Sequence, residues 1–285
     1  MPFINCLSNF NDLIGGPPRV CPKIFSTATF SQVSSIPEMA PINPQPKDPK
    51  LVSDWDQKIL KFIPSAKHAE VLDTGAKYLI LCCNRQWGKT TTISIKALHA
   101  ALHTPNLSIV VISRSKEQAG FIIESATHFA LNLGLKTRRV PNRSFSLLLP
   151  NQSRICAVPH TQDTSLGRTA DILIVDEAAT VKDEVYFSVA SFVARTHGKI
   201  WMLSTPTRQS GFFYNYWHDK STDWHRVLST VDDCPEIDRQ FLELFRRADP
   251  IRYQQDFLCL FVQPANRLCN REFVRSILRK KGTRK

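Results

Sequence analysis

No apolar run in these 285 residues reaches the length of about 18 that a membrane-crossing helix needs. No basic segment leads into an apolar core at the N-terminus, so no secretory signal is read. The eight cysteines include no C-x-x-C pair. Thiols scattered in this way fit a reducing compartment and not a disulfide scaffold. Cys156 and His160 have the right chemistry for a metal, but no further ligand cluster follows them, so no metal centre is expected there. Acidic residues are also scarce: 25 against 37 basic ones, a net charge of +12. That excess points to a polyanionic partner, nucleic acid first. Charge alone leaves a basic protein without such a partner equally open.

The composition, 42% hydrophobic, suits a globular protein with a real core, as one large domain or two small ones. Nine of the eighteen prolines fall in residues 1–50, with frequent serine and asparagine and no lasting apolar period. This stretch reads as a flexible arm. An ordered domain is expected over 51–262, and a basic tail over 263–285.

Within the domain, one stretch organises the rest. Tyr78 to Cys83 is apolar on both faces, as a parallel strand should be. It ends abruptly in Asn84-Arg85-Gln86-Trp87-Gly88-Lys89-Thr90-Thr91, and a helix-compatible segment runs on to His103. Strand, loop and helix in that order make a phosphate-binding P-loop. Gly88 lets the backbone approach phosphate, Lys89 reaches the β- and γ-phosphates, and the Thr90 hydroxyl suits Mg²⁺. Where the usual G-x-x-x-x-G-K-[ST] pattern has its first glycine, this sequence has Cys83.

A second apolar strand, Ser108 to Ser113, precedes a helix with Ser115 as N-cap and Gln118 completing a capping box. That helix should bury Phe121, Ile122, Ser125, Phe129 and Leu133, with Gly134 at C′. The order β-α-β-α implies an α/β domain with a mostly parallel sheet and helices on both faces. Phe145 to Leu149 and Arg154 to Val158 read as a hairpin about Pro150-Asn151. Residues 160–170 form a polar loop with Gly167-Arg168.

Ile172-Leu173-Ile174-Val175 then runs straight into Asp176-Glu177. A buried strand delivering two acids at its C-terminal edge is a Walker B pattern. Asp176 is placed to hold Mg²⁺, and Glu177 to polarise the water that attacks the γ-phosphate. A third apolar strand, Lys199 to Leu203, ends in Ser204-Thr205, hydroxyls suited to sensing the γ-phosphate, before Pro206. Thirty residues ahead of the P-loop, Gln57 could read an adenine edge through its amide; a solvent-facing glutamine fits equally well.

Phe212 to Trp217 packs a helix against the sheet more readily than it stacks bases. Trp224 to Leu228 is a strand candidate. Glu236 to Ala248 is an amphipathic helix with Ile237, Phe241, Leu244 and Phe245 on one side, broken at Asp249-Pro250. Arg252 to Phe257 is a last helix.

Together, Arg85-Gln86-Trp87-Gly88-Lys89-Thr90, Ile174-Val175-Asp176-Glu177-Ala178, and Leu203-Ser204-Thr205-Pro206-Thr207 with Gly211-Phe212-Phe213 resemble the ATPase motor of viral terminase large subunits. The likeness covers roughly residues 50–265 and ends on Tyr253-Gln254-Gln255-Asp256-Phe257-Leu258. It is most specific in the R-Q-x-G-K-T form of the loop, which makes Cys83 a variant and not a defect. The resemblance implies a RecA-like P-loop fold of the ASCE type that hydrolyses ATP with Mg²⁺ and moves double-stranded DNA. It further implies a homo-oligomeric ring, a small subunit and a capsid portal as partners, and the host cytoplasm as setting.

In that frame Lys89 and Thr90 bind phosphate and Mg²⁺, Asp176 holds Mg²⁺, Glu177 is the base, and Ser204-Thr205 couple hydrolysis to movement. Arg85, in the loop itself, is either the arginine acting on the γ-phosphate or a structural phosphate contact, and Arg168 is a second, weaker candidate for the first role. Such subunits continue into a metal-dependent nuclease. Here 23 residues follow Val262, with Glu272 their one carboxylate side chain, so a motor without the nuclease is expected. Two other readings stay open. A helicase-like ATPase would want a second RecA-like domain, and only 79 residues follow Pro206. A non-catalytic prophage remnant would not need Lys89, Thr90, Asp176 and Glu177 all in place.

Overall fold

Four segments with almost no polar side chains between their ends make the centre of the molecule: β1 (Tyr78–Cys83), β2 (Ser108–Ile112), β5 (Ile172–Asp176) and β6 (Lys199–Ser204). Such strands gain stability only when covered on both faces, which is what crossover helices provide. β3 (Ser146–Leu148), β4 (Arg154–Ala157) and β7 (Trp224–Ser229) complete a seven-stranded sheet in the order β3-β4-β2-β5-β6-β1-β7. Every pairing is parallel except the β3–β4 hairpin. The computed structural model describes residues 52–55, 62–140, 144–158, 169–221 and 223–263, all within the unit spanning 43–285. The arm over 1–50, Gln57, Arg168 and the basic tail from 264 onward lie outside the described residues.

The period of two along each strand divides the core. Leu79, Leu81 and Cys83 of β1, Ile109 and Val111 of β2, and Trp201 and Leu203 of β6 face one layer. That layer holds α2 (Ala66–Asp73), α3 (Lys89–His103), α4 (Lys116–Asn132) and α7 (Arg239–Ala248). Ile80, Cys82, Val110, Ile112, Leu173, Val175 and Met202 face the other, which holds α5 (Asp183–Ala190) and α6 (Phe212–His218). There Phe212 stacks on Tyr186 of α5 with ring centroids 4.0 Å apart, and Phe212 and Phe213 join the cluster formed by that face of the sheet, so the aromatic run packs a helix on the sheet. Among the described residues the remaining α-helices are α1 (Val52–Trp55) and α8 (Pro250–Asp256).

The chain passes from β1 to β2 and leaves a gap two strands wide, later filled by β5 and β6. Because β5, β6 and β1 are parallel neighbours, their C-terminal ends lie on one edge of the sheet, the edge where open α/β sheets bind ligands. The register fixes this: Cys82 pairs with Ser204, and Asp176 with Leu203.

Some local expectations shift. In α4 the buried positions are Ala119, Gly120, Ile122, Ile123, Ala126 and Ala130, while Phe121 is 57% exposed. Small residues face inward because α4 runs close along α3, where the Ser94 hydroxyl donates to the Ile122 carbonyl. Ser115 caps α4 by accepting from the Gln118 N–H, but the Gln118 Oε1 has no partner, so the box is only half formed. Gly134 has φ +73° at the C′ position, as expected. In α7 Leu242 is the buried residue, and Phe241 and Leu244 point outward. Helix α2 carried no expectation. Its capping box is built from Ser65 and His68 in place of the usual Glu or Gln.

Candidate active site

The polypeptide reverses between β1 and α3 in five residues, with Gln86 at φ +65° and Gly88 at φ +92°. Left-handed backbone suits glycine and costs Gln86 about 1 kcal/mol, the sort of strain that collects at ligand-binding loops. Asn84 is buried under the turn. Its N–H donates to the Ser229 carbonyl, and its Nδ2 donates to the Arg85 carbonyl. Lys89 opens α3, and its Nζ donates to Thr205 Oγ1 at 3.1 Å and to the Asn84 carbonyl at 3.4 Å. The ammonium therefore bridges the ends of β1 and β6.

At the end of β5 Glu177 also takes a left-handed conformation, φ +49°, and starts a 3-10 turn, Ala178–Thr180. This kink breaks the strand and turns Glu177 into the open. Asp176 stays buried, 6% exposed. Its carboxyl is pushed up to about 7 by burial and then by the charge of Glu177, while Lys89 pulls the other way. The buried Ser204 hydroxyl donates to the Thr205 carbonyl and accepts from the Ala179 N–H, so it ties β6 to the Glu177 turn.

These strand ends surround a cleft of about 950 Å³. Arg85, Gln86, Gly88, Lys89, Thr90 and Thr91 line one side, and Glu177 and Thr205 another. The structure thus brings most of the expected residues around one space. Asn84, Trp87, Asp176 and Ser204 do not line it; all four side chains are buried in or beneath the loop and strand ends.

Further residues complete the wall. Arg114 follows β2, and Gln118 lies in the first turn of α4; a position past a parallel strand was the signal that could have found them. Phe241, Phe245 and Phe257 form an apolar side, beside Arg252, Gln255 and Asp256 of α8. Asp256 is 2% exposed and accepts from Arg85 Nε at 2.8 Å and from Arg252 Nε at 3.3 Å. Its carbonyl also accepts from the Arg85 N–H. The loop arginine is therefore held against α8.

A divalent cation can be weighed against the donors present. Thr90 offers a hydroxyl and Asp176 a carboxylate, hard oxygen ligands of the kind Mg²⁺ takes. The raised Asp176 carboxyl marks a buried negative charge without full compensation, so the donor set fits. Among the described residues no group of three or more His, Cys, Asp or Glu is arranged for a metal, and no helix is long and apolar enough to cross a membrane. His160 lies outside the described residues.

The isolated large terminase ATPase domain of Thermus phage P74-26 superposes with a TM-score of 0.66 at 20% identity, covering 74% of this chain and 99% of that one. The large terminase of a thermophilic bacteriophage, solved with ADP, gives 0.61 at 17%, covering 70% of this chain and 53% of that one. The large terminase of bacteriophage HK97 gives 0.51 at 16%, covering 76% and 45%. At such identities the likeness is one of fold, and this chain spans about half the length of the latter two. No curated protein matches. Residues 80–273 match the sequence family described as terminase large subunit, T4likevirus-type, N-terminal, a stretch that holds the P-loop, the Asp176-Glu177 strand and Ser204-Thr205, and the chain belongs to that family.

Proposed function

We propose that this chain hydrolyses ATP in the cleft and couples each turnover to the movement of double-stranded DNA during genome packaging. The observation that carries this is the convergence of three neighbouring parallel strand ends. They set Lys89, Glu177 and Thr205 around one space, with Lys89 Nζ 3.1 Å from Thr205 Oγ1. The large terminases it resembles have been solved with ADP and with ATP-gamma-S, which supports the same nucleotide here.

The catalytic work is electrostatic. Phosphoryl transfer to water builds negative charge on the γ-phosphate, and preorganised cations and N–H donors stabilise it. Lys89 supplies one cation, and its contact with Thr205 places that charge where β1 and β6 meet. Thr90 and Asp176 are the residues that would hold Mg²⁺, which when bound neutralises charge on the β- and γ-phosphates. Glu177, turned out of its strand by the left-handed kink, accepts the hydrogen bond of the attacking water. Arg85, which lines the cleft while its Nε is held by Asp256, is the arginine we assign to the γ-phosphate. We assign Ser204 and Thr205, at the end of β6, to coupling hydrolysis to movement, a reading supported by the bond between Thr205 and Lys89.

A motor must hold DNA while it resets, so we read the working form as a homo-oligomeric ring in the host cytoplasm. It would meet a small terminase subunit and the capsid portal. In this layout residues 51–262 form the motor, flanked by an arm over 1–50 and a basic tail over 263–285.

The test is an ATPase assay with and without duplex DNA. Wild type should turn over ATP only with Mg²⁺, and faster with DNA. Lys89→Ala should lose turnover by about 10³-fold or more, and Glu177→Gln should lose it while still binding ATP. Undiminished hydrolysis by Glu177→Gln would end this reading.

A further inference from the structure

The P-loop is held from outside the cleft as well as from within. His68, in the first turn of α2, lies nineteen residues ahead of Trp87, and its Nε2 is 2.8 Å from the Trp87 carbonyl. The bond has one possible sense. The Ser65 N–H, which can only donate, points at His68 Nδ1 from 3.2 Å, and the Ser65 hydroxyl lies 2.8 Å from the same nitrogen. Nδ1 must therefore carry the lone pair, and in the neutral ring the proton sits on Nε2. Nε2–H then donates to a carbonyl that can only accept. The His68 and Trp87 rings also pack, with centroids 4.2 Å apart.

A trans peptide sets the C=O of one residue opposite the N–H of the next. Fixing the Trp87 carbonyl toward α2 therefore turns the Gly88 N–H the other way, toward the cleft that Gly88 lines. Backbone N–H groups in this part of a P-loop are the phosphate donors. The two residues are neighbours: a Cβ on Gly88 would stand 3.5 Å from His68 Nε2, in ordinary van der Waals contact. α2 cannot slide away from this contact, because its far end is gripped by the helix that follows the loop. The buried Lys96 of α3 donates from Nζ to the Leu72 and Thr74 carbonyls, both at 2.8 Å.

We infer that His68 is a positioning residue for nucleotide binding, presetting the 87–88 peptide plane so that the Gly88 N–H meets phosphate without reorganisation. This rests on the ATPase reading above, but its structural half can be measured without nucleotide. The competing account is that His68 does no more than cap α2.

Three variants separate the two. His68→Ala removes both the cap and the Trp87 contact. Ser65→Ala weakens the cap and leaves Nε2 in place. His68→Gln can still offer an amide N–H to the Trp87 carbonyl. His68→Ala should raise KM for ATP about five- to tenfold with kcat within about twofold, the loss of one preorganising hydrogen bond. His68→Gln should return KM to within about twofold of wild type, and Ser65→Ala should lower Tm without moving KM. In the nucleotide-free proteins, amide hydrogen exchange over residues 84–90 should quicken in His68→Ala and not in His68→Gln. Equal KM shifts in Ser65→Ala and His68→Ala, no rescue by Gln, or unchanged exchange over the loop would each overturn the inference. Should wild type hydrolyse no ATP, the ATPase reading fails, and the loop exchange still decides whether His68 orders the 87–88 peptide.

Discussion

Asp256 is where two arginines converge on one buried carboxylate, Arg85 from the loop and Arg252 from its own helix. The guanidinium groups are more than half exposed, so solvent screens much of the attraction. Asp256→Asn keeps the shape and removes the charge, and should cost about 1–2 kcal/mol, read as a lower urea midpoint at unchanged slope. A second residue sets a pH response. His99 is held down to about 4, first by burial and then by the charges of His103, stacked 4.0 Å away, and Lys96. In the folded chain it therefore stays neutral at pH values where the unfolded chain, titrating near 6.5, takes up a proton. Its contribution to stability is full above about 6.5 and is lost as pH falls toward 4, at no more than about 1.4 kcal/mol per pH unit. His99→Gln should flatten the fall of Tm between about pH 6.5 and 4.5; an unchanged slope would show that His99 does not carry the effect.

At the scale of elements, the contact between α4 and the β3–β4 hairpin depends on one missing side chain. A Cβ on Gly120 would fall 2.6 Å from Cδ1 of Phe145. Gly120→Val should cost about 1–3 kcal/mol by overpacking, and Phe145→Leu in the same chain should recover part of it. That close approach is invisible in the sequence, where Gly120 is one more residue inside a helical pattern. The central strands were legible because burial on both faces leaves no room for polar residues, and β1 and the hairpin appear where their patterns put them. The placement of the candidate site was legible for the same reason: Lys89, Glu177 and Thr205 follow the ends of such strands and line one cleft. The far wall was not. Phe241 and Phe245 look like the buried stripe of an amphipathic helix, and periodicity cannot tell a core from a cleft. Helix α2 was missed because it is only two turns long and its capping box uses a histidine.

Across the whole molecule, a net charge of +12 makes contact with DNA a matter of counterion release. DNA-stimulated ATPase activity should weaken by more than about tenfold in apparent DNA affinity between about 50 and 200 mM salt, while the basal rate changes little. A salt-insensitive stimulation would argue that the chain's excess positive charge does not meet phosphates. The sheet order has a consequence of another kind, in biosynthesis. The loop belongs to β1 and the acids to β5, yet these strands are separated by β6, so they stand about 10 Å apart with a strand's width between them. Ribosomes deliver β6 last of the three. A nascent chain that already displays Lys89 and Glu177 thus has an open slot where Thr205 will sit, 116 residues downstream of the lysine it will bind. Lys89 and Thr205 can meet only once residues 199–204 have paired with both β5 and β1. A chain truncated before residue 199 would carry both Walker motifs and hold no nucleotide, which makes ATP binding a readout of a finished sheet.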